Sequence, residues 1–167
     1  MSRSLSSELD ALRAKHLYRS LPGPNDGLVD LCSNDYLGLS DHPGLRKSLS
    51  KALERLPLGS TGSRLVRGDH PAFRAAEERF ARFKGAQAAL LFSSGYLANL
   101  GLLQALAGPR DTVFSDELNH ASLIDGMRLS GADKIVYPHL DLAALERALK
   151  KAPKSGRRLI VTESLFS

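Results

Sequence analysis

The sequence predicts an α/β fold with a mostly parallel sheet flanked by helices, and three observations carry that reading. Short runs with strand character recur at 88–92, 112–115, 134–137 and 158–163. Between them lie segments with apolar residues at helical spacing, and strands alternating with helices of about 10 residues are the signature of βαβ units. The composition, 43% hydrophobic and 25% charged over 167 residues, is that of a chain long enough to bury a core.

Taken in order, residues 4–20 read as an amphipathic helix with Leu5, Leu9, Leu12 and Leu17 on one face and Ser4 or Ser6 as its cap. The run from Pro22 to Gly27 breaks it. A short strand is expected over Leu28–Cys32, then a helix over 43–56 with Pro43 in its first turn. The glycine-rich segment from Gly59 to Gly68 reads as a loop, and 71–84 as a helix closed by Gly85. The alternation then begins: strand 88–92, helix 96–107, strand 112–115, helix 121–130, strand 134–137, helix 141–151 and strand 158–163. An arm over 1–42 and a larger domain over 43–167 are the expected organisation.

Charge and cysteine content narrow the function. The formal net charge of +5 comes mostly from basic residues scattered along helices among acids, and only Lys150 to Arg158 forms a cluster. With no recognised motif and no interleaved aromatics, nucleic-acid binding is not expected. Positive charge does suit anionic ligands. The lone Cys32 has no metal-ligand spacing around it, so no metal is expected, and its alternating surroundings point to a buried small residue. No apolar run of membrane length and no signal-peptide pattern appear in these residues, so a cytoplasmic protein is expected.

The chemistry concentrates where Leu90-Leu91-Phe92 runs through Ser93-Ser94-Gly95 into Tyr96 and a helical pattern. A strand that turns through glycine into a helix offers free backbone N–H groups and the positive end of the helix dipole, which together hold a phosphate. Any βα turn needs small residues, however, and a lone phosphate-binding βα module is one reading. One βα unit later stands His120, whose imidazole is either a helix cap or a placed functional group. Successive βα loops of a parallel sheet arrive at the same edge, so the two features belong together.

At this point the residues resemble a known family, the α-oxoamine synthases, which are pyridoxal-phosphate enzymes. The resemblance rests on five ordered blocks: Cys32-Ser33-Asn34-Asp35-Tyr36-Leu37-Gly38-Leu39, Gly59-Ser60-Thr61-Gly62-Ser63-Arg64-Leu65-Val66, the Ser94-Gly95-Tyr96 turn, Asn119-His120-Ala121-Ser122-Leu123-Ile124-Asp125-Gly126, and Val161-Thr162-Glu163-Ser164-Leu165-Phe166-Ser167. It implies the N-terminal part of a fold-type I pyridoxal-phosphate transferase. The Gly59–Arg64 and Ser94–Tyr96 blocks look most like the branch that joins L-alanine to a pimeloyl thioester in biotin biosynthesis. The donor would be pimeloyl-CoA or a pimeloyl carrier protein. A relative that acylates glycine is the alternative.

What the resemblance implies of individual residues is specific. Gly95 and Tyr96 would give backbone donors to the cofactor phosphate, and His120 would stack on the pyridine ring and meet the substrate carboxylate. Ser167 would donate to the phenolic oxygen, and Glu163 would orient a neighbouring group, although a cap or an ion pair is an equal reading. Arg19 and Asn34 would contact substrate. The family's Asp-x-Ala-His segment and lysine-bearing loop do not occur in these 167 residues, so the chain is expected to be an incomplete large domain, inactive by itself. The complete enzyme is expected to be a homodimer.

Overall fold

The computed structural model describes residues 4–21, 23, 27 and 29–166, which fall into two compact units, Met1–Gly59 and Ser60–Ser167. The first unit holds helix α1 (Leu5–Ala14), capped by the Ser4 hydroxyl, and α2 (Pro43–Leu53), capped by the His42 ring. The expected continuation of α1 to residue 20 does not occur. His16 adopts a left-handed φ of 55°. Its N–H reaches the Arg13 carbonyl, and the Leu17 N–H reaches that of Leu12, the pair of bonds that stops a helix. α2 likewise ends at Leu53, short of residue 56.

The strand expected at 28–32 is also absent over the described residues 29–32. Asp30 accepts the Cys32 N–H at 2.8 Å, a local turn that competes with pairing. Cys32 is exposed there, not buried as its alternating surroundings suggest. Met1 to Arg3, most of the Pro22–Gly27 break, Leu28 and Ser167 lie outside the described residues.

The second unit holds a π-helical turn at Arg64–Gly68, then α3 (Pro71–Lys84), α4 (Gly95–Leu106), β1 (Thr112–Asp116), α5 (Ala121–Ser130), β2 (Asp133–Tyr137), α6 (Leu142–Lys151) and β3 (Arg158–Val161). α3 ends where Gly85 turns left-handed at φ 64°, as its sequence predicts. The three strands form a parallel sheet in the order β2-β1-β3, with Phe114 opposite Ile135 and Ile160. Central β1 is buried along its whole length, and its successive side chains feed opposite faces. Val113 packs with Leu103, Leu123 and Met127 of α4 and α5, whereas Phe114 packs with Tyr137 and Leu145.

Residues 88–92, expected as a strand, join no ladder among the described residues. The Leu91 N–H is instead held by the Glu77 carboxylate at 2.8 Å. The same carboxylate takes a two-pronged contact from Arg64 at 2.6 and 3.2 Å, and Arg64 also binds Asp69 at 3.0 Å. This network ties the glycine-rich loop to α3 and to the segment leading into α4. The fork of bonds from Arg64 and the Leu91 N–H hold the Glu77 carboxyl below its usual range.

Candidate functional site

The start of α4 is built as its sequence suggests. Ser94 is the N-cap, its hydroxyl accepting the Leu97 N–H at 3.2 Å, so Gly95 and Tyr96 are the first helical residues and their N–H groups have no partner within the helix. A Cβ placed on Gly95 meets nothing within 4 Å, so the backbone stands open there. A cleft of about 360 Å³, lined by Glu77, Leu91, Ser94, Gly95 and Ala98 among others, opens beside this turn.

His120 arrives from the carboxyl end of β1. The connection between β1 and α5 is shaped by Asp116, whose carboxylate accepts the Leu118 N–H at 2.9 Å and the His139 ring at 2.9 Å. Burial pushes the Asp116 carboxyl up, but the Leu118 N–H and His139 outweigh it and leave the group below its usual value. Asn119 donates to the Ser115 hydroxyl at 3.1 Å and the Val161 carbonyl at 2.8 Å, tying this turn to β3. Its Oδ1 is buried and has no partner among the described residues.

The expected site residues of this unit converge. The Tyr96 and His120 rings lie edge to face, with centroids 6.3 Å apart and planes at 76°. Glu163, just past β3, accepts the backbone N–H of His120 at 2.6 Å. The Tyr96 hydroxyl donates to Asp125, which together with partial burial raises its pKa and keeps the phenol protonated. The unpaired N–H groups that open α4, an imidazole and a carboxylate thus come together beside the carboxyl edge of the sheet, where ligands of such folds bind. A cavity of about 790 Å³ lies beside Thr112, Asp133 and Arg157, at the opposite ends of the strands and away from these groups.

The donor set fits a phosphorylated aromatic cofactor. Two N–H groups unpaired within the helix and a helix dipole suit a phosphate, open space at Gly95 admits it, and the flat His120 imidazole lies 6.3 Å from the Tyr96 ring. Arg19 and Asn34 belong to the first unit, where both are exposed. There Asp35 gathers the Leu39 N–H and the Ser40 N–H and hydroxyl, fixing a tight loop over 35–40 just after Asn34. Ser167 lies outside the described residues. Asn99, Asp116, Ser122 and His139 join these contacts without having been expected from the sequence. Of these only Ser122, two residues past His120 at helix-cap spacing, carried a local signal.

The description "Aminotransferase class I and II" is that of the family whose pattern matches residues 26–167. The chain is 50% identical over its whole length to the 8-amino-7-oxononanoate synthase of Geobacter sulfurreducens, covering 46% of that protein. It is 52% identical to that of Methylococcus capsulatus over 83% of this chain and 36% of the relative. Among solved structures it is similar to the serine palmitoyltransferase of S. paucimobilis with bound PLP-myriocin aldimine, at 28% identity and a TM-score of 0.86, covering 99% of this chain and 46% of that one. The 8-amino-7-oxononanoate synthase of Francisella tularensis is similar at 30% identity and a TM-score of 0.69, over 85% and 38% of the two chains. The chain therefore spans less than half the length of these relatives.

Proposed function

The chain belongs to the aminotransferase class I and II family, and from that premise we propose that it forms part of a pyridoxal-phosphate enzyme condensing L-alanine with a pimeloyl thioester, with loss of carbon dioxide. The observation that carries this reading is the meeting of Gly95, Tyr96, His120 and Glu163 at one sheet edge. The identity to 8-amino-7-oxononanoate synthases, over the whole chain for that of Geobacter sulfurreducens, supports the choice of substrates.

Each residue then has a task. The Gly95 and Tyr96 N–H groups and the α4 dipole hold the cofactor phosphate. Pyridoxal phosphate, when bound, supplies an electron sink for the charge left at the substrate Cα. His120 would lie against the cofactor ring and meet the alanine carboxylate. Glu163 fixes the backbone from which His120 projects, and its negative charge complements the positive end of α5. For Arg19 and Asn34, in the first unit, the family resemblance alone would imply substrate contacts, a planar guanidinium fork suiting a carboxylate. The thioester carrier is coenzyme A or an acyl carrier protein.

The assembly we propose is a cytoplasmic homodimer. Among the described residues no helix is long and apolar enough to cross a membrane.

The test gives the complete gene product pyridoxal phosphate, L-alanine and pimeloyl-CoA. Carbon dioxide release that requires both substrates, and falls with His120→Ala while cofactor stays bound, supports the proposal. Release with glycine and acetyl-CoA in place of these substrates would overturn it.

A further inference from the structure

A three-residue relay starts in the middle of α4 and ends on the imidazole. Asn99 Nδ2 donates to the Ser122 hydroxyl oxygen at 2.9 Å, and that hydroxyl lies 2.7 Å from His120 Nδ1. The backbone N–H of Ser122 points to the same ring nitrogen at 3.2 Å. Ser122 is 0% exposed, so no water competes for its hydroxyl.

The polarity of this relay follows from what each group is able to do. A backbone N–H only donates, so the nitrogen facing it accepts. The Asn99 amide N–H₂ also only donates, which occupies a lone pair of the Ser122 oxygen and leaves the hydroxyl proton for His120 Nδ1. Both neighbours of Nδ1 are then donors. We propose that Asn99 and Ser122 are positioning residues that fix His120 as the Nε2–H tautomer, so that the ring presents a proton, and not a lone pair, to a bound carboxylate. The carboxylate half of this statement rests on the function proposed above; the tautomer half stands on the geometry alone.

Helix packing makes the relay possible. Gly126 lies one α5 turn beyond Ser122 and faces α4, where a Cβ would approach Leu103 Cδ1 to 2.9 Å and the Asn99 carbonyl oxygen to 3.0 Å. Only a residue without a side chain lets α5 come close enough for Asn99 to reach Ser122. Asn99 therefore acts across the helix pair on a ring it does not touch.

The test is the tautomer itself, read from nitrogen-15 shifts of the His120 ring in the chain above the pH at which imidazoles charge. The expected result is a protonated Nε2 and a bare Nδ1 in the unaltered chain. Ser122→Ala removes one of the two donors, and Asn99→Asp turns the hydroxyl proton away from the ring. Each should weaken the preference by roughly fivefold, the net worth of one hydrogen bond. A tautomer mixture in the unaltered chain, or a preference untouched by both substitutions, would overturn the relay. Pyridoxine 5′-phosphate, which carries the phosphate but no aldehyde, is then titrated into the same samples. Binding by all three chains, with the tautomer moved only in the variants, supports both readings. A fixed tautomer in a chain that does not bind the probe would support the relay and overturn the cofactor reading.

Discussion

His120 donates its backbone N–H to the Glu163 carboxylate across 2.6 Å, although the two residues are 43 positions apart in the chain. The bond joins the turn after β1 to the turn after β3, and it does so at the first residue of the α5 cap. Glu163→Ala leaves that N–H without its anion and removes a charge from the positive end of α5. A loss of about 1 kcal/mol is expected in urea unfolding, the usual cost of a helix cap. Glu163→Gln keeps an oxygen acceptor and should cost less.

Gly126 is the contact point of α4 and α5. Gly126→Ala forces a methyl group against Leu103 and the Asn99 carbonyl, and overpacking of this kind costs about 1–3 kcal/mol. Thermal unfolding measures it. The variant should also loosen the Asn99 to Ser122 bond, visible as a changed Asn99 side-chain amide signal.

Arg64 anchors the glycine-rich loop through Glu77 and Asp69 and lies 4.8 Å from the centre of the Phe73 ring. Lysine carries the same charge but neither the fork nor the flat face. Arg64→Lys is expected to increase amide exchange at Leu91, whose N–H shares the Glu77 carboxylate, while Arg82→Lys, on an exposed pair, should not.

Asp116 should give the unit an acid limit. Its folded pKa lies below the ordinary 3.8, so its contribution is full above that value and is lost as the pH falls through the lower folded one. Stability measured by urea titration should drop below about pH 4, and part of that drop should be missing in Asp116→Asn.

The parts of the fold legible in the sequence are those set by local chemistry. α3 and α5 carry their own signals, a proline start and a glycine stop for the one and the His120 to Gly131 frame for the other. The end of α1 was hidden because histidine, not glycine, takes the left-handed position. Residues 88–92 have strand character, but a strand needs a neighbour, and Glu77 supplies the only hydrogen bond described to that run's backbone. Turn chemistry and family resemblance single out Gly95, Tyr96, His120 and Glu163, and the structure brings Tyr96 and Glu163 to His120. Asn99 and His139 are not singled out, because their contacts exist only once helices and strands distant in the chain have packed.

A phosphorylated pyridine held by the α4 N-terminus and His120, as proposed above, would be felt by named backbone amides. The most direct measurement follows the backbone amides of the chain while pyridoxine 5′-phosphate or unphosphorylated pyridoxine is added. Saturable shifts are expected at the Gly95 and Tyr96 amides and the His120 ring with the phosphate ester, and none at Gly95 and Tyr96 with pyridoxine. Unmoved Gly95 and Tyr96 amides, or shifts confined to the basic cluster from Lys150 to Arg158, would contradict it.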